Sequence, residues 1–255
     1  LILNVIVDGD STFLTHKEFD ARTELDYDRK GGILTIQPTE IKLKNAVFNV
    51  GGQIDVLDEF NVDIGINGNN PDFSLLIALA PNELIPTLEQ YENAGKIRFQ
   101  ASIEGKTLSG SQPAINATCG CDSAYFRNPK SNRQLQEISF SGHFTNGAKR
   151  DFTTMEFTLD NMTAKPEAGV FEASLKVMNF DTPEIDLTVN SDFDLDFLAQ
   201  FLDITRLRQL DGDVSLEMKF NDIIDLKNPE RSLEEFNKSY FSELNVENLT
   251  FMLPD

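Results

Sequence analysis

The sequence predicts a mainly β fold, in which repeated antiparallel strands form an elongated, curved sheet or groove that a few short helices cap. Three observations predict it. Apolar and polar residues alternate with a period of two over many short stretches. Turn-forming clusters, such as residues 67–71 and 146–147, separate these stretches. The same order of elements also occurs twice along the chain, which is typical of a repeat architecture.

The alternating stretches predict strands with one apolar and one polar face, as in antiparallel sheets that are covered on one side. Residues i and i+2 of a strand point to the same side, so the apolar positions of these stretches form one candidate lining of a groove. They are Val62, Ile64, Ile66, Ile97, Phe99, Ile103, Ile185, Leu187, Val189, Val214, Leu216, Met218 and Phe220.

Helical spacing occurs in few places. The apolar residues of 74–91 predict two short helices, the second opening at Pro81, because proline is tolerated in a first turn and breaks a helix interior. Residues 194–210 predict a helix with Asp194 as its N-cap. Leu195, Leu198 and Leu202 fall near one face of this helix. A polar stretch over 231–241 is the third, weaker helix candidate.

The repeated order of elements predicts one elongated repeat domain over residues 1–255. Residues 62–68 resemble 185–191, and each stretch precedes a helical segment and then a strand that opens on Gly95 or Gly212. We therefore expect repeats at about 24–110 and 111–225 and a truncated third at 240–255, by repeat periodicity.

Composition restricts the function. The chain has 42 acidic and 22 basic residues, a net charge of −20, so phosphate backbones repel it and nucleic-acid binding is not expected. Its longest apolar stretch, 73–80, is far shorter than the roughly 20 residues that span a bilayer. The sequence opens on Leu1 without a charged leader. We expect a segment of a longer protein, with any targeting signal or anchor outside it.

Catalytic motifs are not found. The sequence has no Gly-x-Ser-x-Gly elbow, no glycine-rich phosphate loop and no His-Glu-x-x-His pattern, so we expect no enzyme, no catalytic residue and no cofactor. Acidic pairs such as Asp192 with Asp194, or Asp58 with Glu59, resemble the paired carboxylates of glycosidases, yet close pairs arise by chance in so acidic a chain. Residues 67–72 match no EF-hand loop, and an Asx-rich turn is the better interpretation.

The two cysteines, Cys119 and Cys121, would share one face of a strand. Structural zinc sites need four ligands, usually from two clusters. The sequence has no second cysteine cluster, and His16 and His143 are isolated, so no metal site is expected.

Several stretches together resemble the AsmA-like family of Gram-negative envelope proteins, especially as it occurs in Bacteroidetes-type sequences. The resemblance is carried by residues 69–79, the strand after Gly95, residues 103–105, the Gln-Pro-Ala step at 112–114, and residues 135–142. It covers most of residues 24–255. The cysteine pair departs from the family pattern, in which an ordinary strand occupies that place.

The resemblance implies a periplasmic β-structure related to the TamB type, with an inner-membrane anchor that is absent from this chain and a role in outer-membrane biogenesis and lipid transport. It implies a non-enzymatic segment whose apolar groove shields or conducts lipids, with acyl chains and other envelope proteins as partners. The high negative charge opposes tight capture of anionic headgroups. The alternatives are a structural or protein-binding β-module with a self-packed core, and a surface carbohydrate-binding or hydrolytic domain.

Overall fold

The computed structural model describes residues 2–6, 12–21, 23–43, 46–70, 72–79, 85–203, 208–223 and 240–252. These residues form fourteen strands in one antiparallel sheet with a few short helices, which confirms the predicted fold class. The strands are β1 (Ile2–Ile6), β2 (Thr12–Ala21), β3 (Leu25–Asp28), β4 (Ile33–Leu43), β5 (Ala46–Asp55), β6 (Asn61–Asn70), β7 (Glu92–Gly105), β8 (Ala114–Arg127), β9 (Gln134–Thr145), β10 (Glu156–Lys165), β11 (Gly169–Met178), β12 (Glu184–Asp194), β13 (Arg208–Ile223) and β14 (Tyr240–Met252). The α-helices are α1 (Ser74–Leu79), α2 (Ile85–Glu89) and α3 (Leu195–Phe201).

The sheet is a meander in which every strand except β2 pairs with the next one along the chain. The order runs from β1 through β2 and β4 to β14, while β3 pairs with β4 on the edge that β2 also uses. At about 4.8 Å between neighbouring strands, the path from β1 to β14 extends roughly 58 Å. Local pairing of this kind needs no crossover, so short turns connect most strands.

A series of β-bulges interrupts the strands near one end of the sheet. Gly95 and Gly212 have positive φ angles of 158° and 144° beside register shifts in β7 and β13. Ser123, Asn161 and Asn248 have positive φ angles at the register shifts of β8, β10 and β14. Each bulge bends its strand and increases the local twist, so the series curves the sheet.

The bulges correct one prediction. The strands were expected to open on Gly95 and Gly212, yet β7 begins at Glu92 and β13 at Arg208. Each glycine lies inside its strand, at a point where the neighbouring strand passes too close for a side chain. A Cβ on Gly95 would lie 2.3 Å from the Cβ of Ala124.

The helices are shorter than predicted. Two helices do follow β6, but α2 begins at Ile85, and Pro81 lies outside the described residues. Asp194 caps α3 as predicted, since its carboxylate accepts hydrogen bonds from the N–H groups of Asp196 and Phe197. The helix ends at Phe201 and does not reach residue 210, where β13 has begun.

The leucines that fall near one face of the predicted helix are not the buried residues of α3. Phe197 and Ala199 are the buried residues of this helix, Leu195 and Leu198 are half-buried, and Leu202 is exposed at the C-cap. The aromatic side chain of Phe197, and not a leucine, is the large side chain that α3 places in the core. Of the third predicted helix, residues 231–239 lie outside the described residues, and Tyr240 and Phe241 belong to β14.

Candidate functional site

All thirteen predicted groove positions occupy one face of the sheet. Directly paired residues of neighbouring antiparallel strands share a face, and the register therefore carries the face from strand to strand. One row of paired positions runs through Phe48, Gly68, Phe99, Cys119, Gly142, Leu159, Leu175, Leu187 and Phe220. This row joins the predicted cluster of residues 62–103 to that of residues 185–220. We call this side the apolar face.

Helices α1 and α2 cover one zone of the apolar face. Phe73, Ile77 and Ile85 are buried against Ile97 and Cys121, and the cluster continues to buried residues of the next strands. Those residues are Ala124, Ile138 and Ala164. A neighbouring cluster forms around Ala46 and Phe48, against which Leu76 and Phe99 also pack. The covered zone is a protein core of the ordinary kind.

Phe73 is the central residue of this cover. Its ring lies 4.5 Å from the ring of Phe126 and 6.4 Å from that of Phe140, measured between centroids. Its backbone N–H donates to Asn93 Oδ1 at 2.9 Å. The sequence placed this residue in an apolar stretch but did not indicate that it precedes the helix and enters the core.

Helix α3 packs against β12 and β13, and the β8–β9 turn holds it in place. The buried Asn128 side chain donates to the backbone oxygens of Gln200 and Phe201, and Tyr91 donates its hydroxyl to the Phe201 oxygen at 3.1 Å. Arg133 forms ion pairs with two carboxylates, that of Glu167 in the β10–β11 turn and that of Asp196 in α3. These contacts fasten the two helical segments along one end of the sheet, and sequence periodicity gave no signal for them.

Away from helices α1, α2 and α3, the apolar face is only half-buried by the residues that the structure describes. Half-buried positions there include the predicted residues Val62, Ile64, Ile103, Ile185, Leu187, Leu216 and Met218. By contrast, Ile97 and Val214, at the end of the sheet that the helices cover, are buried, and so is Val189, although Leu216 lies closer to α3 and is half-buried. Of Phe220 the structure gives the strand position, opposite Leu187. We call the half-buried part the open zone.

The cysteines lie in the covered zone of β8, in an ordinary strand. Both are free thiols on the apolar face, opposite Phe99 and Ile97. Burial raises the pKa of Cys119, and it raises the pKa of Cys121 to about 11. His143 is paired with Thr118 and therefore lies on the opposite face. Both thiols stay protonated at neutral pH, a state that neither coordinates metal nor attacks disulfides.

The other side of the sheet is polar and carries most of the charge. Asp58, of the pair Asp58 and Glu59, is ion-paired with Lys106 at 2.6 Å. Asp194, of the pair Asp192 and Asp194, accepts hydrogen bonds as the cap of α3. In each acidic pair, therefore, at least one carboxylate already has a partner. A depression on this face is lined by the acidic residues Asp192, Asp194, Asp213 and Glu247. Among the residues that the structure describes, no three His, Cys, Asp or Glu side chains are grouped to hold a metal ion.

The fold and this site define a class: an antiparallel meander with one polar face and one apolar face, the latter covered by short helices over part of its area. No protein-family model, curated protein sequence or solved structure matches the chain. No helix among the described residues is both long and apolar enough to cross a membrane.

Proposed function

We propose that the chain is a non-enzymatic, periplasmic segment of an AsmA-like protein whose open zone holds lipid acyl chains during outer-membrane biogenesis. The observation that supports this proposal is the partial cover of the apolar face: helices bury one end, while a row of branched and sulfur-containing side chains is half-buried across many strands. A soluble β-domain ordinarily buries such a face under a second layer.

The energy of lipid capture comes from apolar contact alone. Each methylene removed from water contributes about 0.8 kcal/mol, so one long acyl chain gains on the order of 10 kcal/mol. The sheet extends roughly 58 Å across its strands by strand spacing, about four times the ~15 Å depth of one bilayer leaflet. Several chains can therefore lie side by side, and movement between similar sites needs no separate energy source.

The open zone also suits lipid because its half-buried residues are hydrocarbon or thioether side chains. Asp186 and Glu217 of the same strands point to the polar face, whereas the position of Asp222, opposite Ile185 near the end of β13, lies on the apolar face and marks its margin. Headgroups would stay at the rim, where the net charge of −20 disfavours anionic ones. Neutral or zwitterionic headgroups fit this arrangement better.

Site-specific photo-crosslinking tests the proposal. A benzophenone amino acid at position 103 or 187 would lie in the open zone, and its chain neighbours Glu104 and Thr188 point to the polar face as matched controls. After purification from an envelope-containing host, we expect phospholipid adducts by mass spectrometry at Ile103 and Leu187 but not at the control positions. Equal adduct formation at all four positions, or none, would contradict the proposal.

The second candidate is a structural or protein-binding β-module with a self-packed core. The observation that favours it is the covered zone, where eight buried residues form one continuous cluster beneath the helices. Crosslinks from positions 103 and 187 to protein only, with no co-purified lipid, would support this candidate.

A further inference from the structure

Strand β14 occupies the same place in the second copy as β8 in the first. Gly95 of β7 faces Ala124 of β8, and Gly212 of β13 faces Leu249 of β14. The residues just before Ala124 and Leu249, Ser123 and Asn248, are both bulge residues, with φ angles of 55° and 56°. The register then makes Cys121 equivalent to Val246, since they pair with Ile97 and Val214 respectively.

The equivalent positions differ sharply in exposure. Cys121 and Ala124 are both 0% exposed, whereas Val246 is 38% and Leu249 51% exposed. The difference lies in the neighbours: β8 is paired with β9 along its second edge, and Ile138 of β9 belongs to the same buried cluster. Among the described residues, nothing pairs with the second edge of β14.

The free edge of β14 has few features that discourage strand pairing. Natural edge strands are kept apart by lysine, proline, short length or inward-pointing charge. Strand β14 is thirteen residues long and contains neither proline nor a basic residue. The bulge at Asn248 does not prevent pairing either, because the corresponding bulge at Ser123 of β8 lies in a strand that is paired with β9.

Charge on the polar face indicates what kind of strand fits. In the first copy, Asp122 of β8 is ion-paired with Arg98 at 2.5 Å and lies opposite Lys96. The residue at the place of Asp122 in β14 is Glu247, which lies opposite an acid, Asp213. Among the described residues, neither Glu247 nor Glu243 has an ion pair, so the β14 edge presents uncompensated negative charge next to exposed apolar side chains.

We infer that the second edge of β14 binds an extended polypeptide strand from outside these 255 residues, antiparallel to β14 as β9 is to β8. The strand carries apolar residues at alternate positions, which cover Leu244 and Val246, and Lys or Arg between them, which face Glu243 and Glu247. A second copy of this chain fits poorly at either described edge of its sheet: β1 has five residues and no basic one, and β14 would set Glu243 and Glu247 against the same acidic residues. This inference does not depend on lipid in the open zone.

A peptide derived from β9 provides the probe. We would use residues 134–145 with S139K, S141K and H143K, labelled with a fluorophore, and measure binding to the full chain by anisotropy. Two further peptides would carry N-methyl groups on alternate residues, in the two possible phases. Only one of the two phases blocks the N–H groups that face β14. We expect the affinity of that peptide to fall by at least about thirtyfold, from the loss of several hydrogen bonds, and the other peptide to bind nearly as tightly as the unmethylated one.

Protein variants and hydrogen exchange locate the site. Val246→Lys and Glu247→Lys are expected to weaken binding about tenfold or more, by lost apolar contact and reversed charge, and the peptide should slow amide exchange within residues 240–252. Leu57→Lys is the matched control, since Leu57 is exposed in the β5–β6 turn. Equal binding of both N-methylated peptides, equal weakening by Leu57→Lys, or concentration-dependent dimerisation that Val246→Lys abolishes would each overturn the inference.

Discussion

Replacing Phe73 by alanine tests whether the helical segment is seated on the apolar face. Phe73 is 6% exposed and packs against Phe126 and Phe140 within the buried cluster that includes Cys121. Truncating a buried phenylalanine costs about 3–5 kcal/mol, of which each aromatic pair supplies roughly 0.5–1.5 kcal/mol. With two such pairs present, we expect Phe73→Ala to lower the free energy of unfolding by about 4 kcal/mol.

Two measurements separate this effect from a general loss of structure. Urea denaturation gives the change in unfolding free energy, and Phe60→Ala serves as control because Phe60 is 44% exposed in a turn; its cost should stay below about 1 kcal/mol. Alkylation of Cys121 reports on the cover directly, because Phe73 belongs to the cluster that buries this thiol. The rate should rise in Phe73→Ala under native conditions. A loss below about 1 kcal/mol together with unchanged alkylation would refute the placement of this segment.

Three further predictions follow from close packing and burial. Gly95→Ala should cost about 2–3 kcal/mol by overpacking, because the new methyl would lie 2.3 Å from a neighbouring Cβ, whereas Gly65→Ala, whose nearest atom is 4.0 Å away, should be nearly neutral in urea denaturation. Burial raises the pKa of the Cys121 thiol from its ordinary value of 9.0 to about 11, so the unfolded chain loses this proton at lower pH than the folded one. Raising the pH from 7.5 to 10.5 should therefore destabilise the wild type by about 2 kcal/mol more than Cys121→Ala; an equal loss in both would contradict the assigned burial. Asn128→Ala removes one donor from each of two carbonyls at the end of α3, Gln200 and Phe201, which keep the hydroxyls of Ser131 and Tyr91 as donors. We therefore expect a cost of about 0.5–1.5 kcal/mol and faster amide exchange in residues 195–201; exchange that rises equally everywhere would indicate a different cause.

The strands were predictable because their signal is local. Alternation such as that of Ile97, Phe99 and Ile103 depends only on which side of one strand faces water. It therefore identified the apolar face correctly, with every predicted position on the same side. Asp194 was predictable for a similar reason, since an N-cap uses the N–H groups two and three residues further along.

The cover of the apolar face was not predictable in the same way. Helices α1 and α3 have six and seven residues, too few for a periodic pattern to define a buried side, and Phe197 rather than a leucine enters the core. Contacts such as Asn128 with the end of α3 join residues more than seventy positions apart. The glycine bulges were also missed as bulges, because their cause is the approach of the next strand and not their own neighbours in sequence.

The two proposed functions make different demands on one surface. A self-packed module would gain by extending its helical cover, since each half-buried Leu or Ile forgoes part of the roughly 25 cal/mol per Å² that burial provides. The described helices instead lie at one end of the strands, fastened to each other through Tyr91 and Phe201, whose ring centroids are 5.0 Å apart. They leave Ile64 of β6 and Leu187 of β12, which hold corresponding positions in the two similar stretches 62–68 and 185–191, half-buried. Under the proposed function, acyl chains would cover both positions, whereas a self-packed core leaves this apolar area partly in water.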